Sequence, residues 1–189
     1  TFDVAGERAL VIRGHDGILR AFHNLCRHRG SRIVPDARGV CNKAMVCPYH
    51  GWAYNLDGGL RGVANRDTFP PMQAEKWGLK PLEMEIWNGL VFIRFQAGPQ
   101  PAVAEILTRF DDEIAPYDLA NMVPTGSNSM DDLLAVNWKS VRDVDNEGYH
   151  VRQAHPGLHQ LYGDGYFDEP YANGTSRSVG TFNEAYGHR

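Results

Sequence analysis

The stretch CRHRGSRIVPDARGVCNKAMVCPYHGW, residues 26–52, holds all three cysteines of the chain and sets two of them beside histidines. The pattern is Cys26-x-His28, eighteen intervening residues, then Cys47-x-x-His50. Thiolate and imidazole together suit zinc, iron–sulfur clusters or copper. Zinc sites usually space paired ligands by two to four residues, so that one loop wraps one ion. A single intervening residue wraps one ion poorly, yet it can give neighbouring ligands to two adjacent irons. Gly30, Pro48 and Gly51 flank the pairs, and their small bulk lets backbone N–H groups approach a cluster. The bland alternative is two unrelated Cys/His pairs in ordinary loops.

In a Rieske [2Fe-2S] centre one iron takes two cysteines and the other two histidines. Each loop then supplies one ligand of each kind, as Cys26/His28 and Cys47/His50 can. Outward from this stretch, short strands and turns fill the first hundred residues. ALVIR and ILRAFH flank His15-Asp16-Gly17, KPLEMEIW and LVFIRF flank Asn88-Gly89, and NLDGGLRG is a further turn cluster. An Asn-Gly between two such runs signals a hairpin, because both positions must accept positive φ. QAGPQPA, residues 96–102, reads as a linker, which sets domains at 1–97 and 98–189. Beyond it, Ile106, Leu107, Phe110 and Ile114 fall on one face of a helix. LLAVNWKSV is a strand or the approach to a helix, and DVDNEGYHV reads as helical.

The chain has 189 residues, enough to bury a core, and a net charge of −4 without a long basic run. A nucleic-acid or anionic-membrane partner is therefore not expected. Apolar runs such as GLVFIRF are far shorter than a membrane span. An odd number of cysteines argues against a disulfide framework and for a reducing, cytoplasmic setting. Both ends read as cut, so a longer protein is expected.

The two loops resemble those of Rieske proteins, with a spacer slightly longer than that family commonly shows. Ser31 and Tyr49 stand where respiratory Rieske proteins carry the cysteines of an extra disulfide, so that bridge cannot form. CRHRGSRI and CPYHGW resemble instead the Rieske domain of ring-hydroxylating oxygenase large subunits. Cys41 has no matching role and reads as a buried spare thiol.

A second group of donors lies in NWKSVRDVDNEGYHVRQAHPGL, residues 137–158. Glu147 and His150, three residues apart, would be neighbours on a helix face. His150 and His155 are five apart, about 140° around a regular helix. They converge only if the helix breaks, and Pro156-Gly157 gives it reason to. Two imidazoles and a carboxylate form the facial triad that leaves open positions on Fe(II). The segment, with Asn137, Trp138, Lys139, Glu147, Tyr149, His150 and His155, resembles the mononuclear-iron motif of Rieske oxygenases.

This resemblance implies an α+β fold, with an all-β Rieske domain followed by the beginning of a mixed, helix-grip-like catalytic domain. It implies Cys26, His28, Cys47 and His50 as cluster ligands, and His150 and His155 as ligands of the mononuclear iron. A third carboxylate ligand is expected beyond residue 189, since Asp164, Asp168 and Glu169 follow His155 too closely and read as a solvated acidic loop. Glu147 matches the acidic residue that bridges to the second Rieske histidine, here His50, of a neighbouring subunit, which implies a homotrimer, with or without a β subunit. Asp143 would lie one helical turn before Glu147, where like charges oppose double ionisation and could couple a proton to electron transfer. The implied activity is O2-dependent hydroxylation, dihydroxylation or demethylation of a small organic substrate, with an aromatic compound expected first. Electrons would come from NAD(P)H through a reductase, with or without a ferredoxin. The glutamate at the bridge leans towards quaternary ammonium substrates. The rivals are a Rieske-type electron carrier, which needs no second motif, and a zinc-binding module.

Overall fold

Three antiparallel strands open the chain in the order β1 (Phe2–Val4), β2 (Glu7–Arg13) and β3 (Leu19–His23). The structure, a computed structural model, describes residues 1–123 and 135–186. Side chains alternate between the faces of a strand, and here both faces of the β2–β3 pair are covered. Leu10 and its partner Phe22 enter the larger core with Cys26, Ile33, Met45, Cys47, Trp52 and Tyr54. Ala9 and Ala21 face the other way, against Leu82, Met84, Ile93 and Phe95. Each fully buried large apolar side chain contributes about 1.5–3 kcal/mol. The cysteines of the two Cys/His loops are thus part of the first core.

A second sheet of β4 (Met45–Val46), β5 (Ala53–Tyr54) and β6 (Leu60–Gly62) follows. The turn between β4 and β5 is the second Cys/His loop itself. A third sheet is the antiparallel pair β7 (Glu83–Trp87) and β8 (Leu90–Arg94), joined at Asn88-Gly89 with φ of 47° and 82°. This is the hairpin that the Asn-Gly dipeptide predicts.

The chain divides into compact units Thr1–Met122 and Val123–Arg189. Within the first, Glu85 accepts from the Val103 N–H at 2.8 Å, and Trp87 Nε1 donates to Asp111 at 3.1 Å. These bonds hold α1 (Val103–Leu107) and α2 (Asp111–Ile114) to the β7–β8 hairpin. The apolar face of Ile106, Leu107, Phe110 and Ile114 is half-buried as expected, although a 3₁₀ turn interrupts the helix.

In the second unit, α3 (Trp138–Asp145) starts at Asn137, whose side chain accepts from the Lys139 N–H at 3.0 Å. The helix expected to continue through DVDNEGYHV, residues 143–151, ends at Asp145 with Asn146 as its cap. Residues 147–150 form a turn, followed by α4 (Val151–Ala154) and α5 (Pro156–Tyr162). An antiparallel pair, β9 (Tyr166–Pro170) and β10 (Ser176–Gly180), completes the unit. The LLAVNWKSV segment is helical from Trp138, and its first two residues lie outside the described range, as does His188. Among the described residues, no helix is long and apolar enough to cross a membrane.

Candidate metal centres

The two Cys/His loops have one backbone pattern. The Cys26 N–H donates to Ser31 O and the Cys47 N–H to Trp52 O, both at 2.8 Å. Gly30 N–H returns to Cys26 O at 2.9 Å, and Gly51 N–H to Cys47 O at 3.0 Å. Each loop closes through a glycine at φ of 70° or 69°, where a side chain would strain the backbone. Within this common turn, histidine occupies the second position after the cysteine in one loop and the third in the other. The result brings the His28 and His50 rings to 4.7 Å between centroids. Behind them Cys26 and Cys47 are 4% and 2% exposed.

His28 Nδ1 is buried and has no hydrogen-bond partner in the protein, an arrangement that costs free energy unless something outside the protein accepts or coordinates it. Burial, the neighbouring His50 and the Arg29 charge push the imidazole down and keep it neutral, as a ligand must be. Burial pushes the Cys26 thiol up, opposed by hydrogen bonds from Tyr54 and the His28 backbone. Among the described residues the donors stand in pairs, with no three or more His, Cys, Asp or Glu positioned around a single ion. A binuclear cluster asks two protein ligands per iron, because sulfide supplies the rest. The four residues fit that demand.

Three further residues, not singled out in the sequence, shape the centre. The Tyr54 hydroxyl lies 3.3 Å from Cys26 Sγ and accepts from the Arg27 N–H at 2.9 Å. Trp52 stacks on His28 at 5.0 Å with the rings 2° from parallel. Asn24, fully buried, accepts from the N–H groups of Ile33 and Val34 and donates to Val34 O at 2.7 Å, fastening the chain that leaves the first loop. Only the tertiary contacts distinguish these from ordinary core residues. Cys41 is half-buried against the core rather than fully enclosed, and all three cysteines are free thiols.

In the second unit, Glu147 Oε1 lies 2.6 Å from His150 Nδ1, and its other oxygen accepts from the His150 N–H at 3.2 Å. Burial pushes the Glu147 carboxyl up, but its hydrogen bonds with His150 outweigh this and hold it below its ordinary value. With Nδ1 occupied, Nε2 of His150 is left for a metal. His155 breaks the helix at φ −127°, ψ 66°, directly before Pro156, and its ring stands 5.2 Å from that of His150. The two histidines therefore meet through the break that Pro156 predicts, and they suit two sites on one Fe(II). Asp143 and Glu147 are not one turn apart on a continuous helix, because α3 ends between them. The geometric premise of the proton-coupling idea is absent. Nor are Asp168 and Glu169 in an acidic loop: both lie on β9, where Glu169 accepts from Tyr171 at 2.6 Å and contacts Arg177 at 3.3 Å.

Comparison with known proteins adds an independent line. Residues 1–74 match the Rieske [2Fe-2S] domain, and residues 118–185 match the catalytic domain of the ring hydroxylating alpha subunit. The glycine betaine monooxygenase oxygenase subunit of Chromohalobacter salexigens is 39% identical over 159 residues, covering 84% of this chain and 34% of the relative. The carnitine monooxygenase oxygenase subunit of Acinetobacter pittii is 34% identical over 164 residues, covering 84% of this chain and 42% of the relative. A crystal structure of a quaternary ammonium Rieske monooxygenase with a bound inhibitor superposes with a TM-score of 0.80 at 29% identity, over 98% of this chain and 51% of the other. The chain thus spans between about a third and half of the length of these relatives. With the two Cys/His loops, the Glu147/His150 turn and two matching domains in the same order, the chain belongs to the alpha subunits of the Rieske non-haem iron oxygenases.

Proposed function

We propose that the full-length protein is the terminal component of a Rieske oxygenase acting on a small quaternary ammonium compound. Cys26, Cys47, His28 and His50 would hold the [2Fe-2S] cluster, and His150 and His155 the mononuclear Fe(II), with a carboxylate from outside this chain's 189 residues as the third ligand. The observation that carries this reading is the pairing of His28 and His50 at 4.7 Å over two buried cysteines, with His28 Nδ1 left unpartnered. The substrate class follows the named activities of the betaine and carnitine relatives, in place of the aromatic class expected from the family at large.

When bound, the metals supply one-electron transfer and O2 activation. In a monooxygenation, one oxygen atom enters the substrate and the other leaves as water, consuming two electrons and two protons. The electrons come from NAD(P)H through a separate reductase. This chain's residues orient and insulate. Trp52 and Phe69 wall His28 from water, and Glu147 fixes the ring of His150 by the Nδ1 bond, as a carboxylate partner does for many metal-binding histidines. A carboxylate has lone pairs beyond those used here, so Glu147 can also accept from His50 of a neighbouring copy in a trimer and bridge the two centres.

The test is iron and acid-labile sulfide per chain in anaerobically purified full-length protein, followed by O2 uptake with the reductase. Iron should exceed sulfide, with the excess lost in His150→Ala, and uptake should depend on glycine betaine or carnitine. Iron equal to sulfide in both proteins would make the protein an electron carrier. Uptake driven only by aromatic compounds would return the substrate to that class.

A further inference from the structure

The turn that carries Glu147 and His150 has no helix of its own, since α3 ends at Asp145 and α4 begins at Val151. It is held from outside, by the β9–β10 hairpin. Asp168 on β9 accepts the Gly148 N–H with one carboxylate oxygen and the Ser178 hydroxyl, at 2.8 Å, with the other. Asn146 and Ser176 share a hydrogen bond at the start of the turn, and Arg142 donates to Gly174 O at 2.9 Å one turn earlier. The Gly148 backbone lies against Tyr166, so closely that a Cβ there would collide with the ring. Both oxygens of Asp168 are thus directed at the hairpin and the turn.

We infer that Asp168 is a positioning residue for the mononuclear iron: by fixing Gly148 it sets the turn in which Glu147 orients the His150 ring. This rests on the reading of His150 and His155 as iron ligands. What the role requires is an acceptor in place, not a negative charge. An asparagine can accept the Gly148 N–H through its carbonyl and donate its amide to Ser178, whose hydroxyl reverses role.

The experiment measures binding of Co(II), a spectroscopic probe of the mononuclear site, to full-length protein that retains its cluster but lacks mononuclear iron. Thermal unfolding and cluster absorption are recorded for every variant. Outer contacts of this kind are worth about 10–100-fold in metal affinity. Asp168→Ala should therefore lose at least about tenfold, while cluster absorption and unfolding temperature stay near wild type. Asp168→Asn should stay within about threefold of wild type, as should Ser178→Ala, which leaves the Gly148 bond intact. The inference is overturned if Asp168→Ala binds Co(II) no more weakly than the exposed control Asp164→Ala. It is equally overturned if Asp168→Asn is as weak as Asp168→Ala. His150→Ala separates this from the underlying reading: a variant that still binds Co(II) like wild type removes the iron site itself, whatever Asp168 does.

Discussion

Tyr54 shows how one hydroxyl can tune a centre. Burial above all, and then the neighbouring Cys26, push its phenol well above its ordinary value, so it remains protonated beside Sγ. A proton donated to a cluster cysteine stabilises the reduced, more negative state. Tyr54→Phe should therefore lower the reduction potential. One hydrogen bond of about 1 kcal/mol corresponds to about 40 mV for one electron, a change that protein-film voltammetry reads directly; an unchanged potential would mean the hydroxyl is not directed at the sulfur. Asn24 acts on stability instead. Asn24→Ala leaves the Ile33 and Val34 N–H groups and one carbonyl without their partner in the core, and should cost about 2–4 kcal/mol by denaturant unfolding. A loss below about 0.5 kcal/mol would mean that water replaces the amide.

At the scale of elements, the hairpins keep their geometry through local chemistry. In the β2–β3 turn, Asp16 accepts from the Ile18 N–H at 3.1 Å and pairs with Arg20 at 2.7 Å. The Arg20 hydrogen bonds, followed by that of Ile18, hold the Asp16 carboxyl at about 2. A carboxyl depressed in the folded state contributes stability above its unfolded pKa and loses it as pH falls through the folded value. The turn should hold down to about pH 4 and loosen between about 4 and 2. An NMR titration of Asp16 should show this low value, and Arg20→Gln should bring it back towards the ordinary range; no movement in the variant would remove Arg20 as the cause. Helix boundaries obey the same local logic only in part. Pro156 stops α4 at His155 as its ring requires, whereas nothing comparable marks the end of α3, and the helix expected through residue 151 gives way to a turn fixed by the hairpin.

For the whole molecule, the two centres should differ in how easily they lose metal. The first centre has two buried donors, Cys26 and Cys47 at 4% and 2% exposed, beside an exposed His50, whereas the second has none: the His150 side chain is 28% exposed and His155 is exposed. A mild Fe(II) chelator should therefore remove the mononuclear iron from the full-length protein while the cluster's visible absorption persists. Stronger removal that takes the cluster should lower the unfolding temperature, because the cluster ties two loops together across the larger core and its binding energy is folding energy. Calorimetry before and after each step checks both expectations; simultaneous loss of both metals would contradict the difference in burial.

The sequence by itself determined the α+β class, the Asn88-Gly89 hairpin and the family, and it named the candidate donors of both centres. It could do so because turn chemistry and ligand spacing act over a few residues. The break at His155 was legible for the same reason, since proline restricts the residue before it. What only the tertiary structure decided depends on residues far apart in the chain. Glu85 and Trp87 hold Val103 and Asp111, which lie 18 and 24 residues further along the chain. Tyr54 and Asn24 matter through partners that are 28 and 10 residues away, and no local pattern separates them from other core residues. Asp168 read as an acidic loop residue until a hairpin set it against Gly148, 20 residues earlier. Spacing names the atoms that can bind a metal; the packing of distant segments decides which other groups hold those atoms in place.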